Sequence, residues 1–199
     1  MAFFNRSTEP PFELTSPMLP EERIKAIKEF DKYRMRFIKE WRPDILFLIE
    51  RWDRWYVWNK GNVAPFEQQF ETFLQKMRPL GTKVVFVTQA PVSPVGSRMN
   101  FRAIASLLQK PDGRLPVFYP DAWADSAHAS IHAAAERVAA KNPNLIVVRS
   151  HFAFLNTNGS LRYADGRKFF YLDDNHLTDA GTEELRPLLE KVIADQVKH

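Results

Sequence analysis

A chain of 199 residues is long enough for one α/β domain with a hydrophobic core. The 45% of hydrophobic and 26% of charged residues are typical of a globular protein, and a net charge of +4 without a run of Lys or Arg argues against nucleic-acid binding. The absence of cysteine excludes disulfides, thiolate metal sites and a cysteine nucleophile. No stretch is apolar enough to span a bilayer, and no secretory signal is visible.

The first half of the chain predicts alternating helices and strands. Residues 2–4 are interpreted as a strand end that leads into a proline-rich loop. Acidic residues in the first turn and a periodic apolar stripe predict a helix over residues 21–41. The apolar run at residues 44–49 is typical of a strand buried on both faces of a parallel sheet. A second helix is expected over residues 65–79, with Gly81 after its end.

The second half continues this alternation. Its predicted elements are a strand over residues 83–88, a helix over 99–110, an alanine-rich helix from Asp125 to about Lys141, and a strand over 145–148. Asn158-Gly159 and Asp165-Gly166 are hairpin signals that predict a short β excursion. The order of elements predicts a single α/β domain over residues 1–199, a parallel sheet with helices on both faces.

A cluster of charged and aromatic residues follows the predicted strand at residues 44–49. It runs from Glu50 to Trp58. Because open α/β sheets bind ligands beyond the carboxyl ends of their strands, this cluster is a candidate site. The loop over residues 89–94 is expected at the same edge. A packed aromatic corner with surface arginines is the alternative interpretation of the cluster.

The strongest candidate for chemistry lies near the C-terminus. Asp173 precedes His176 by three residues, and Thr178 is a good N-cap for a helix with a periodic apolar face. A carboxylate on a loop fixed by a packed helix can orient an imidazole that takes and returns protons. The alternative is that Asp173 only caps a turn.

Two further histidines lie four residues apart on the predicted alanine-rich helix. His128 and His132 could ligate a cation. No third ligand is near them in the sequence, so they are expected to face solvent, and neither a metal nor another cofactor is predicted.

The order of elements and three local strings resemble the SGNH hydrolase superfamily, in particular the SGNH-type domain attached to membrane acyltransferase-3 proteins that O-acylate bacterial surface polysaccharides. The string from Tyr171 to Thr178, with Ala180-Gly181 behind it, looks like the family's last block. Arg51-Trp52 after a strand is similar to its third block, and the strand before Pro91 is similar to its fourth strand and loop.

The resemblance implies roles for four residues and a fold. His176 would be the general base that activates a serine and later protonates the leaving group, and Asp173, rather than Asp174, would hold the imidazole tautomer. Arg51 and Trp52 would lie near the substrate or support the oxyanion region. The implied fold is a three-layer, flavodoxin-like α/β/α arrangement.

The chain departs from the family pattern at the nucleophile. No Gly-Asp-Ser segment occurs among its residues, and none of the nine serines lies at a predicted strand-to-helix elbow. Residues 2–4 would match the second strand of the family, so the first central strand is expected to be missing. A fragment of a longer product or a misplaced start accounts for this better than a genuinely truncated relative.

Two functions follow from these observations. The first is a serine esterase or O-acyltransferase domain that acts on acylated carbohydrate, with the serine outside this chain and a membrane acyltransferase domain as its partner. Such an arrangement would place the domain in the periplasm or otherwise outside the cytoplasm. The second is a non-catalytic module of the same fold that binds glycans through Trp52, Trp55, Tyr56 and Trp58.

Overall fold

The computed structural model describes residues 19–92, 117, 122–166 and 168–197. The predicted strand end at residues 2–4, the predicted helix at 99–110 and the last two residues of the loop over residues 89–94 lie outside these ranges. The chain divides into two compact units, each made of two segments. The first unit is Met1–Gln89 with Ala127–Val148, and the second unit is Ala90–Ser126 with Arg149–His199. The assignment of residues 1–199 to a single domain stays a prediction.

The first unit contains a three-stranded parallel sheet. Its strands are β1 (Ile45–Ile49), β2 (Lys83–Val87) and β3 (Leu145–Val148), in the order β1-β2-β3. Ile45 pairs with Lys83, and Val84 pairs with Leu145, so all three carboxyl ends lie at one edge. This confirms the predicted parallel α/β class.

The two outer strands of this sheet are less buried than its centre. In β2 the four residues from Val84 to Val87 are all buried, whereas Ile49 at the end of β1 is 59% exposed. The prediction that β1 is buried on both faces is therefore wrong for the residues described. A continuous apolar run shows that a strand belongs to a sheet, but it does not report the strand's position within it.

Among the described residues, four helices accompany this sheet along the chain. They are α1 (Glu21–Trp41), α2 (Trp52–Trp58), α3 (Ala64–Met77) and α4 (Ala122–Ala139). A 3-10 turn at Arg78–Leu80 extends α3 to Gly81, whose φ of 74° is accessible to glycine at little cost. The helix α4 begins at Ala122, three residues before its predicted start at Asp125, since Ala122, Trp123 and Ala124 also take helical geometry.

The core of the first unit packs aromatic side chains of α2 and α3 against the strands. Trp52, Trp55, Phe66 and Phe86 are each no more than 1% exposed, and Trp52 stacks on Phe86 with ring centroids 4.4 Å apart. The buried face of α3 consists of Phe66, Phe70, Phe73, Leu74 and Met77. Burial of aromatic rings of this size is the main source of stabilisation here.

The buried face of α1 differs from the predicted apolar stripe. Its buried residues are Ile27, Asp31, Arg34 and Ile38. The Arg34 guanidinium donates to the Asp31 carboxylate, so the buried charges are paired. Trp41, the last residue of α1, is 68% exposed and stacks on Phe37.

The second unit is built around a short hairpin and a long helix. After a 3-10 turn at Ser150–Phe154, the hairpin joins β4 (Ala164–Asp165) to β5 (Lys168–Phe169), and α5 covers Asp179–Val197. Gly159 and Gly166, the second residues of the two predicted turns, both have positive φ, which confirms the β excursion. The hydrophobic core of the second unit comprises Phe154, Leu161, Tyr163, Phe170, Tyr171 and Leu185.

Within the described residues, no helix is both long enough and apolar enough to cross a membrane.

Candidate functional site

The loop between Tyr171 and Thr178 brings a carboxylate and an imidazole into direct contact. The Asp173 Oδ2 atom lies 2.7 Å from Nδ1 of His176. The other carboxylate oxygen, Oδ1, accepts the backbone N–H groups of Asn175 at 2.9 Å and His176 at 2.8 Å. One carboxylate therefore both shapes the turn and contacts the ring.

The loop is closed by backbone contacts and by a buried aromatic residue. The N–H of Leu172 donates to the carbonyl of His176 at 2.8 Å, and Tyr171 forms an antiparallel bridge with Leu177. The Tyr171 ring is fully buried and packs edge-on against Phe154, with centroids 5.6 Å apart. The turn is thus anchored on the hydrophobic core of its own unit.

The start of α5 fixes the other end of the loop. Thr178 accepts the N–H of Gly181 at its hydroxyl oxygen, 3.1 Å away, which confirms Thr178 as the N-cap. The Thr178 hydroxyl donates to the carbonyl of Phe169 at 2.5 Å, and its N–H donates to the carbonyl of Phe170 at 2.9 Å. The helix and the hairpin therefore hold the Asp173–His176 turn between them.

The geometry selects one tautomer of His176. An ionised carboxylate can only accept, so in the neutral form of the ring Nδ1 carries the proton and Nε2 presents its lone pair. The His176 side chain is 71% exposed, and no described residue hydrogen-bonds Nε2. An imidazole in this state can act as a general base through Nε2, while the carboxylate stabilises the imidazolium that results.

The charge of Asp173 is favoured by its surroundings. Burial alone would raise its pKa, but the N–H groups of Asn175 and His176 and the His176 ring outweigh that effect, so the pKa lies below its usual value. The neighbouring Asp174 is 5% exposed and accepts from the side-chain amide of Asn175 at 2.7 Å. Asp173, rather than Asp174, is therefore the carboxylate that contacts His176.

Arg51 and Trp52 lie in the first unit, where β1 leads into α2. The Arg51 guanidinium donates to the Asp53 carboxylate through Nε, 3.0 Å from Oδ1, and Nη2, 3.2 Å from Oδ2. The Trp52 indole N–H donates to the carbonyl of Val87 at 2.9 Å and ties α2 to the end of β2. Trp52 is 1% exposed, so its ring has no face available to a substrate.

Two polar residues of this region were not singled out by number from the sequence. Asp53 is 1% exposed and holds Arg51, and Gln89 accepts the backbone N–H of Asp53 at 3.0 Å. The Arg-x-Asp spacing could have suggested the first contact. Gln89 is one of the first polar residues after β2, but its partner is 36 positions away in sequence. No local pattern reports such a contact.

Glu50 adds a further ionisable group beside Arg51. Burial raises its pKa, while the Arg51 backbone N–H, which donates to Oε1 at 3.3 Å, and the charge of Arg34 act in the opposite direction. The edge of the first unit's sheet therefore combines a cation held by a carboxylate with a carboxyl group whose proton is retained to higher pH.

The four aromatic residues expected to bind glycans, Trp52, Trp55, Tyr56 and Trp58, do not form one exposed surface. Both Trp52 and Trp55 are 1% exposed and belong to the hydrophobic core, whereas Tyr56 and Trp58 are half-buried. The packed aromatic corner is the correct interpretation for the first two rings. Their burial follows from the helical geometry of α2, which turns positions three apart to the same side.

The two histidines of α4 also differ from expectation. His128 is 6% exposed and His132 is half-buried, and their rings stack with centroids 5.9 Å apart. The prediction that they face solvent is therefore wrong. Their apolar neighbours on the same helix, such as Ile131 and Ala135, turn this side of α4 toward the core.

A parallel α/β sheet together with an Asp-x-x-His turn ahead of a C-terminal helix defines a domain of the SGNH type. The chain belongs to the family described as "SGNH domain (fused to AT3 domains)", whose model matches residues 1–191. No curated protein matches the chain.

The fold is also similar to a solved structure. This neighbour is described as the periplasmic domain of the lipopolysaccharide acetyltransferase of Salmonella ser. Paratyphi A, with a TM-score of 0.61 and 16% sequence identity. The match covers 84% of this chain and 63% of that chain, so it spans less than two thirds of the neighbour. At this identity the similarity shows a shared fold.

Proposed function

We propose that the chain supplies the acid–base part of an SGNH-type serine esterase or O-acyltransferase that acts on acylated carbohydrate. The observation that carries the proposal is the 2.7 Å contact between Asp173 Oδ2 and Nδ1 of an exposed His176. Family membership supports it, since the matching family is an SGNH domain.

In the proposed reaction, Nε2 of His176 removes the proton of a serine hydroxyl as the oxygen attacks the acyl carbonyl. The imidazolium then returns this proton to the departing sugar hydroxyl, which leaves an acyl-serine. Water or an acceptor hydroxyl, activated by His176 in the same way, releases the acyl group. Asp173 stays ionised throughout and stabilises the imidazolium, which agrees with the lowered pKa of its carboxyl.

We propose that Arg51 and Trp52 have supporting roles of different kinds. Arg51 keeps 26% of its side chain exposed while Asp53 fixes its guanidinium, which suits a cation that stabilises negative charge on an acyl oxygen. Trp52, with its N–H bonded to Val87, holds the α2 start in place. These roles were inferred from the resemblance of Arg51-Trp52 to the third block of the family.

The substrate class and the partner are part of the same proposal. The family is fused to AT3 domains, and the structural neighbour is a periplasmic domain of a lipopolysaccharide acetyltransferase. We propose an acetylated bacterial polysaccharide as the substrate, a membrane acyltransferase domain as the partner and an extracytoplasmic location.

The test measures hydrolysis of p-nitrophenyl acetate and of an O-acetylated oligosaccharide by a polypeptide that joins this chain to a Gly-Asp-Ser segment. His176→Ala and Asp173→Asn are expected to lower the rate by about 100-fold or more, the usual contribution of general acid–base catalysis. His151→Ala, a second histidine in the same unit, serves as the control and should retain activity. Equal rates for His176→Ala and the unchanged protein would remove the basis of the proposal.

A further inference from the structure

Gln89 is a buried polar residue just after the end of β2. It lies two residues beyond Val87, at the edge where the strands of the first unit present their carboxyl ends. The side chain is 8% exposed, so its amide is removed from bulk water. Buried amides in proteins normally have partners for both their oxygen and their nitrogen.

The contact with Asp53 fixes the orientation of this amide. The backbone N–H of Asp53 is a donor, and it lies 3.0 Å from the side chain of Gln89. The atom that it contacts must therefore be the acceptor, Oε1. The Nε2 atom then lies at the opposite end of the amide group, away from the Asp53 N–H. A flipped amide would set two donors against each other.

The Nε2 group of Gln89 has no acceptor among the described residues, although the atom is buried. Trp55 also has a buried indole N–H without a partner, but that ring lies in the hydrophobic core. Gln89 differs because it stands at the ligand-binding edge of the sheet and contacts Asp53, the residue that holds Arg51. A buried donor left unpaired costs free energy that a bound acceptor would recover.

We propose that Nε2 of Gln89 and the guanidinium of Arg51 together bind an oxygen of a carbonyl or carboxylate group at this edge of the first unit. Asp53 organises both donors: its carboxylate fixes Arg51, and its backbone N–H fixes the Gln89 amide. The ligand class is an acyl group, as the ester that enters or the carboxylate that leaves. The inference rests on the proposed function for this choice of ligand, and it assigns Gln89 as a residue that binds the acyl oxygen.

The experiment uses the 199-residue chain and acetate, and it requires no catalysis. Side-chain amide signals of 15N-labelled protein are followed by NMR as sodium acetate is added at constant ionic strength. We expect the Gln89 NH2 signals to shift saturably, while those of Gln75, an exposed glutamine of α3, stay in place. Gln89→Met, which lacks the donor and adds no charge, should weaken acetate binding about tenfold or more, as expected for a hydrogen bond to an anion.

Gln89→Glu provides a second variant, because its carboxylate can still accept the Asp53 N–H but cannot donate. It should lose acetate affinity, as Gln89→Met does, and Gln75→Met should change neither the acetate affinity nor the melting temperature. Gln89 signals that stay unmoved, or an acetate affinity in Gln89→Met and Gln89→Glu equal to that of the unchanged protein, would overturn the inference. The outcome is separable from the catalytic test: acetate binding through Gln89 can hold while His176→Ala has no effect on rate, and the reverse can also be observed.

Discussion

The Asp173 carboxylate divides its two oxygens between the backbone and a side chain. Oδ1 accepts two N–H groups and sets the shape of the turn, whereas Oδ2 faces Nδ1 of His176. Loss of the carboxylate would therefore change both the conformation of the turn and the tautomer of the ring. Asp173→Asn retains one acceptor oxygen for the turn, so it separates these effects better than alanine does.

The first prediction concerns the pH at which this carboxylate takes up a proton. Its folded-state pKa lies below the unfolded value of about 3.9, because hydrogen bonds favour the charged form. The stabilisation that the charged group contributes is therefore complete above about pH 4 and is lost as the pH falls through the lower folded value. We expect His176→Ala to raise the Asp173 pKa, since two of the interactions that lower it come from the ring.

NMR titration of the Asp173 side-chain carboxyl carbon measures this shift directly. His151→Ala should leave the midpoint of Asp173 unchanged, because His151 is absent from the groups that perturb it. A midpoint that is the same in His176→Ala and the unchanged protein would show that the ring does not stabilise the charged carboxylate.

The single residues of the site differ in how far a sequence can reveal them. Asp173 and His176 are three apart, so a local motif is enough to pair them. The network around Arg51 depends on Gln89, whose contact with Asp53 spans 36 positions and exists only once β1 and β2 have paired. Such contacts are set by the register of the sheet, which the sequence pattern does not specify residue by residue.

At the scale of elements, caps and periodicity predicted most boundaries. The helix expected over residues 21–41 is α1, and the N-cap expected at Thr178 is present. Burial was predicted less well. The buried face of α1 carries the Asp31–Arg34 pair, and apolar periodicity could not identify this face because paired charges are absent from hydrophobic patterns.

The second prediction concerns the packing of α5 on the hairpin. A Cβ atom at Gly181 would lie 2.2 Å from the carbonyl oxygen of Phe170, a backbone atom that cannot rotate away. Gly181→Ala should therefore destabilise the protein by about 1–3 kcal/mol, the usual cost of overpacking, even though alanine is the better helix former. Thermal unfolding measures the effect.

Glu190→Ala provides the matched control, because it also introduces alanine into α5 but at an exposed position. Its melting temperature should stay close to that of the unchanged protein. If Gly181→Ala were as stable as Glu190→Ala, the close approach of α5 to Phe170 would not exist in solution. Under the proposed function, stability and activity are linked, because a displaced start of α5 would also loosen the turn that orients His176.

At the scale of the whole molecule, the sequence predicted the class of fold and left the assignment of contacts open. The apolar strands and amphipathic helices specify a parallel α/β sheet, and that sheet is present. The division into two compact units, each drawn from two separate segments, was not predicted. It depends on which segments pack together, and no linker or change in composition marks it in the sequence.

The last prediction concerns the nucleophile, which belongs to the whole polypeptide rather than to any single element. The chain contains nine serines and no Gly-Asp-Ser segment. Among the described ones, Ser150 and Ser160 are buried. We therefore expect the 199-residue chain to hydrolyse p-nitrophenyl acetate no faster than its own His176→Ala variant. A polypeptide that joins this chain to a Gly-Asp-Ser segment should hydrolyse the ester in a manner that depends on His176, because a general base accelerates the reaction only when a nucleophile is within reach.

Stopped-flow measurement of p-nitrophenolate release distinguishes the cases, since an acyl-serine intermediate gives a burst. Replacement of the serine of a Gly-Asp-Ser segment by alanine in the longer polypeptide should abolish both the burst and the dependence on His176. A His176-dependent burst from the 199-residue chain would contradict the prediction, and it would place the nucleophile among the nine serines. Alanine variants of those serines would then identify the nucleophile, which would have to lie within reach of the exposed imidazole of His176.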